Sequence, residues 1–268
     1  MRGKQIMTVT GPVNANLLGT VYSHEHLIVQ PQIPDEKYIA YTLSDENASA
    51  KEVQLFANAG GKTIVEMTPI NYGRDVLAYQ RIAEKTGIYV ICCTGFHKEL
   101  FMPSWFKEKK SSQIYDEVLN EIENGIDKTS IRPGVIKMGT SFENITDQER
   151  RAVEIVARLH QDTGIMISTH CDKGTMGIEQ LDLLEHYGVS AKDVLLGHID
   201  SKHDIDYAKE LCKRGAKICI DHVGRSLSDH DAFCVQLITE LIEAGFVDHV
   251  VLSGDMGKTD YLLSLIHI

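Results

Sequence analysis

The chain has 268 residues, of which 43% are hydrophobic and 24% charged, and a net charge of −11 carried by acids scattered along its length. That composition is of an ordinary folded protein, neither disordered nor fibrous, and the acidic balance excludes a nucleic acid or an anionic membrane surface as the main partner. No apolar run approaches the roughly 20 residues of a membrane span, and the opening MRGKQIMTVTGPV lacks the apolar core of a signal peptide. A cytoplasmic protein is therefore expected, with its six cysteines, none in CxxC spacing, as reduced thiols.

Eight short apolar, β-branched runs recur in chain order: LLGTVYS, KTIVEM, IYVICCTG, GVIKMGT, GIMISTH, DVLLGHI, AKICID and HVVLSGD. Runs of this kind suit strands buried on both faces, as in a parallel sheet. The intervals between them carry helical patterns over 46–59, 75–86, 112–127, 146–163, 175–187, 203–214 and 229–244. The first places Val53, Phe56 and Ala57 at i, i+3, i+4 spacing. Thr146 followed by Glu149 forms a capping-box signature. Gly60, Gly87, Gly164, Gly188, Gly215 and Gly245 follow the helical segments, where a C-terminal glycine is favoured.

Strand and helix repeated eight times predict a (β/α)8 TIM barrel forming a single domain over 1–268. The stretch 99–112 (ELFMPSWFKEKKSS), the longest irregular one after a strand, is a candidate lid or a solvated face. After the eighth strand only 13 residues remain, ending YLLSLIHI, so the chain is expected to be C-terminally truncated and to lack most of its last helix. An apolar flank left bare there would cost stability and invite association.

The polar residues cluster at strand ends. His24, His26, His97, His170, His198 and His222 lie at or just past the C-terminal ends of predicted strands, which in a barrel line the mouth that holds the active site. His160, His186, His203 and His230 fall on helices or their ends and read as surface or packing residues. His249 opens the eighth strand and is expected to be structural; His267 falls in the tail. In SHEH, His24 and His26 project to one side of an extended segment with Glu25 facing away, so two imidazoles can hold one ion. HxH alone is a weak signal; His170 in THCD, His198 in GHID and Asp255 in SGDMG strengthen it. Imidazole and carboxylate suit zinc, manganese, cobalt or nickel. Lys137 sits in the middle of the apolar run VIKMG, where an unpaired ammonium is costly to bury. It either points outward along a helix to solvent or is carboxylated by CO2, giving a carbamate whose oxygens ligate metal.

SHEH, VIKMGTS, THCD, GHID and SGDMG, in that order from about Thr8 to Tyr261, resemble the phosphotriesterase family of the amidohydrolase superfamily, and within it the phosphotriesterase-like lactonases that open phosphorylated sugar lactones. The resemblance implies two divalent ions per chain, zinc first with manganese or cobalt as substitutes. His24, His26 and Asp255 would hold the more buried ion and His170 with His198 the more exposed one, with carboxylated Lys137 and a hydroxide bridging them. It further implies that the hydroxide attacks a lactone carbonyl while Asp255 moves the proton to the leaving alkoxide. Arg225, Lys258 and Tyr261, past the last two strands, are expected phosphate contacts by the same resemblance, with the reading as solvated loop residues open beside it. His222 is a substrate contact or a partner of Asp221. His97 is a weaker sugar contact, and Arg74 a contact or a helix-start residue. A broad phosphotriesterase or carboxylesterase, an amide-hydrolysing relative sharing the ligands, and an inactive truncated metal-binding barrel remain as alternatives. The expected partner is a small-molecule lactone; relatives of this kind often form homodimers, but no interface is legible in the sequence.

Overall fold

The computed structural model describes residues 4–33, 36–225 and 229–262. Each of the eight predicted runs is a strand: β3 (Thr20–Glu25), β4 (Gly61–Glu66), β5 (Tyr89–Gly95), β6 (Val135–Thr140), β7 (Ile167–Cys171), β8 (Val194–Gly197), β9 (Lys217–Ile220) and β10 (Val250–Leu252). Two short strands precede them, β1 (Gln5–Thr8) and β2 (Gly11–Asn14), which form an antiparallel hairpin absent from the sequence reading. Its turn is fixed by the Thr8 hydroxyl, which donates to the Gly11 carbonyl at 2.6 Å, and by Gly11 at φ 112°, a value a side chain would strain.

The helices are α1 (Glu46–Asn58), α2 (Val76–Thr86), α3 (Trp105–Glu108), α4 (Ser111–Asn124), α5 (Asp147–Thr163), α6 (Gly177–His186), α7 (Ile205–Lys213) and α8 (Asp229–Glu243). Their ends follow the local chemistry. Asp45, Asp75 and Asp204 cap α1, α2 and α7 by accepting from backbone N–H groups of the first turn. Thr146 and Glu149 make the reciprocal capping box at α5. Gly87 and Gly164 end α2 and α5 in the left-handed conformation.

The chain divides into two compact units. The first comprises Met1–Thr94, Asp116–Val135 and Asp255–Ile268. In it β3, β4 and β5 pair in parallel, and the register of β3 on β4 shifts between Thr20 and Val21 and again between Tyr22 and Glu25. The second shift lies at Ser23–His24, where an irregular strand re-aims a side chain. Leu27, Val53, Ile64, Tyr79, Ile82 and Val90 are core residues of this unit, with the Tyr79 hydroxyl donating to the Ile28 carbonyl at 2.8 Å. Arg74 is buried there rather than offered to a ligand: it forms a two-pronged pair with Glu121, at 2.7 and 3.0 Å, and also donates to the Cys93 carbonyl.

The second unit comprises Gly95–Tyr115 and Ile136–Gly254. Here β6 to β10 are parallel in sequence order, and every residue of β6 is buried. The stretch 99–112 is not a free lid. Phe101 and Phe106 are buried, Arg151 donates to the Phe106 carbonyl at 2.7 Å, to the Ser111 hydroxyl at 2.9 Å and to the Lys109 carbonyl, and the Glu99 N–H donates to Glu149. The six cysteines are buried thiols, and among the described residues no helix is long and apolar enough to cross a membrane. The expectations for the final helix and for His267 fall on 263–268, outside the described residues.

Candidate metal centre

In the first unit, His24 is near the end of β3 and His26 just past it, and the backbone N–H of Asp255 donates to the His24 carbonyl at 3.1 Å. Asp255 has φ 43°, a left-handed conformation rare outside glycine and costly unless the surroundings hold it. Glu25 is one of the groups holding it: buried, it accepts the Met256 N–H at 2.9 Å. Asp255 Oδ1 is thereby placed 3.2 Å from His26 Nε2 and 3.8 Å from His24 Nε2. These three residues each offer a ligand atom within 4.8 Å of the others.

The orientation of His26 is built from behind. Its Nδ1 lies 2.7 Å from the Thr68 hydroxyl, which donates to the fully buried Glu66 carboxylate at 2.6 Å. Glu66 also accepts the Thr68 and Leu27 N–H groups. Burial pushes its carboxyl above the usual range against the lowering influence of His26 and of these hydrogen bonds. Gly257 leaves the ring room, since a Cβ there would stand 3.1 Å from His26 Cδ2.

In the second unit, Lys137 is 1% exposed in the middle of β6, so the outward, solvent-reaching reading fails. His170 pairs with Gly139 across β6 and β7, and its ring packs 4.3 Å from that of His97 and 4.5 Å from that of His198. Burial drives the His170 pKa well below the histidine range, and His97, His198 and Lys137 lower it further. A neutral imidazole is the form that ligates a metal. Its Nε2 is buried without a hydrogen-bond partner, a costly state for a nitrogen with no task. His198, at φ 63°, donates its backbone N–H to the buried Asp221 carboxylate at 3.0 Å, and its Nδ1 lies 2.9 Å from the same carboxylate. A carboxylate behind an imidazole is the usual outer support of a metal-binding histidine. The donors of both units are nitrogen and oxygen, oriented and partly orphaned, and they fit divalent zinc, manganese or cobalt.

Two glycines make these close approaches feasible. A Cβ on Gly95, at φ 97°, would lie 2.1 Å from the Lys137 carbonyl oxygen, and one on Gly139 would lie 2.9 Å from the Lys98 nitrogen and 3.2 Å from His170 Cβ.

The remaining site expectations are placed as follows. His97 is buried against His170 and Phe101, with Nδ1 accepting the Lys98 N–H at 2.7 Å. His222 stacks on His198 at 5.1 Å and bonds Asp200 at 2.8 Å, while Asp221 is 3.8 Å away. Arg225 donates to the Gly254 carbonyl at 2.7 Å. The Lys258 ammonium sits 4.3 Å over the Tyr41 ring and 5.5 Å from that of Tyr261, so these two expected phosphate contacts do lie together in the first unit. His160 and His249 bond the Ile165 and Ala216 carbonyls, as structural residues do. His230 does not read as simple surface: it bonds the buried Asp200 at 2.9 Å. Sequence reasoning missed Glu66, Thr68 and Asp200. Of these, Asp200 in GHID carried a signal, an acid two residues past a candidate ligand.

The chain is similar to proteins of known structure and activity. A phospho-furanose lactonase of Mycoplasmopsis synoviae is 32% identical over 97% of this chain and 79% of its own length. The crystal structure of a lactonase from Listeria monocytogenes superposes with a TM-score of 0.94 at 30% identity, over 98% of this chain and 86% of that one. The Escherichia coli phosphotriesterase homology protein, crystallised with phosphate in its active site, gives 0.88 at 30% identity over 93% and 86%. The fold is the TIM barrel expected from the strand–helix alternation. The phosphotriesterase family profile matches residues 4–265. The chain belongs to the phosphotriesterase family and is a hydrolase of ester bonds, of the metal-dependent lactonase or phosphotriesterase-like kind.

Proposed function

We propose that the protein is a lactonase acting on a phosphorylated sugar lactone with two divalent ions, zinc first, in a cytoplasmic setting. His24, His26 and Asp255 form one ligand set, and His170, His198 and Lys137 the other. The observation that carries this reading is the orphaned Nε2 of His170 beside His198 and Lys137, a nitrogen made neutral and stripped of hydrogen-bond partners. Lys137 enters as a carbamate: the ammonium gives up a proton, the neutral amine attacks CO2, an N–C bond forms as one C=O π bond opens, a second proton leaves to solvent, and a buried cation becomes an anionic ligand.

When bound, the ions supply Lewis acidity and an activated water at neutral pH. The chain's own residues do the rest. Asp255, held in its strained conformation, receives the proton released as water adds to the lactone carbonyl. It returns that proton to the ring oxygen as the ring C–O bond breaks, giving the hydroxy acid. Thr68 with Glu66, and Asp221, keep His26 and His198 in the tautomer that leaves Nε2 outward. Lys258, Tyr261 and Arg225 hold the substrate phosphate by charge-assisted hydrogen bonds. His97 and His222 contact the sugar.

The test compares kcat/KM for a pentonolactone phosphate, the same lactone without phosphate, and a paraoxon-like ester. The phosphorylated lactone is expected to lead by at least about tenfold, the worth of one or two charge-assisted bonds. Equal values for the two lactones overturn the phosphate contacts, and a lead for the paraoxon-like ester favours the phosphotriesterase alternative.

A further inference from the structure

A second group of ligand-type side chains lies within the second unit, touching the proposed reaction site where Asp200 Oδ2 also bonds His222 Nδ1 at 2.8 Å. His230 and Cys234 stand four residues apart on α8 and so share a helix face. That face meets Asp200 in the turn after β8. His230 Nε2 is 2.9 Å from Asp200 Oδ2 and 3.5 Å from Cys234 Sγ, and the three ligand atoms all lie within 4.8 Å of one another. Asp200 is fully buried and Cys234 nearly so.

We propose that Asp200, His230 and Cys234 form a separate site for a soft divalent cation of the zinc type. Zinc takes such donors at about 2.0–2.3 Å in a tetrahedron, so atoms already this close need only small shifts, with water completing the fourth position. The thiolate sets this site apart, because neither ligand set of the proposed reaction contains sulfur. His230 binds through Nε2 as the neutral ring, with its proton on Nδ1, which lies 2.9 Å from His203 Nε2. That N–H···N contact is the outer support that fixes a ligating imidazole. His203 in turn is held flat on Phe233, ring centroids 4.3 Å apart and planes 9° off parallel, and both line a surface groove of about 640 Å³. Binding is balanced by loss of the Cys234 thiol proton to solvent; no electrons move.

The experiment titrates the full chain with cobalt(II) and reads the thiolate-to-cobalt charge-transfer absorption in the near ultraviolet, which reports on sulfur ligation whatever the nitrogen and oxygen sets hold. The wild type is expected to develop this band, Cys234→Ser to lack it, and His203→Ala to need about tenfold more cobalt. A wild type without the band, or a band unchanged in Cys234→Ser, overturns the site. Should Cys234→Ser fail to fold, wild-type protein labelled with a thiol reagent, with and without zinc, decides by mass spectrometry: zinc slows labelling at Cys234 if the site exists and leaves it unchanged if it does not.

Discussion

Lys137 is the residue on which the proposed chemistry turns. Its side chain is enclosed in β6 beside His170, which burial above all holds in the neutral form. Substitution Lys137→Ala is expected to lower kcat/KM by at least about 100-fold, the upper end for loss of a metal's supporting group. Short carboxylic acids should restore part of that rate by standing where the carbamate stood; an unchanged rate removes Lys137 from the site. One layer out, Thr68→Val takes the partner from His26 Nδ1 while keeping the shape of the side chain. Metal affinity, measured by competition with a chelator, is expected to fall about 10- to 100-fold. The imidazoles and Asp255 were legible in the sequence because each follows an apolar strand at its C-terminal end. Thr68 and Glu66 were not, since a serviceable outer partner can come from any nearby strand and has no spacing rule of its own. Alternation sets Glu25 on the face opposite the imidazoles but does not reveal its task. Glu25 accepts the Met256 N–H and anchors the Asp255 loop, a tie between distant stretches of chain.

At the scale of the element, the strands announced themselves through continuous apolar runs and the helices through their caps. The hairpin β1–β2 did not, because four-residue strands containing Pro12 give neither alternation nor a long apolar run. In the stretch 99–112 the KEKK run is largely exposed, as a solvated face should be, while Phe101 and Phe106 next to it are core residues, the latter tied to α5 by Arg151. Glu149 binds these elements. Beyond its capping-box role it accepts the Ser141 hydroxyl at 2.6 Å and the Glu99 N–H at 3.0 Å, all while fully buried. Glu149→Ala is expected to cost about 3 kcal/mol in urea unfolding, roughly one for the cap and the remainder for donors left buried. Thr146→Ala, which touches only the cap, is expected to cost about 1 kcal/mol. Equal costs for the two would mean that the ties to Ser141 and Glu99 contribute nothing. In the first unit, the Arg74–Glu121 pair predicts a similar asymmetry. Glu121→Ala strands a buried guanidinium that also faces Cys93, and should cost about 3 kcal/mol or more.

For the whole molecule, the order of the eight runs was enough to give a TIM barrel, and the likeness to solved lactonases bears it out. The ester hydrolase followed from five motifs in one order, and the family match agrees. The side chains proposed to contact the substrate phosphate, Arg225, Lys258 and Tyr261, lie past the last two strands, where partners depend on folding more than on local pattern. The gathering of Lys258 over Tyr41 illustrates this, because the two are joined by contacts between distant stretches of chain.

The two ligand sets are tested together by the metal content of the purified protein, measured by elemental analysis after excess ions are removed by gel filtration, alongside its lactonase rate. About two tightly held divalent ions per chain, falling in step with activity as a chelator withdraws them, is the predicted result. Full lactone hydrolysis by protein that holds less than about one ion per chain would contradict it.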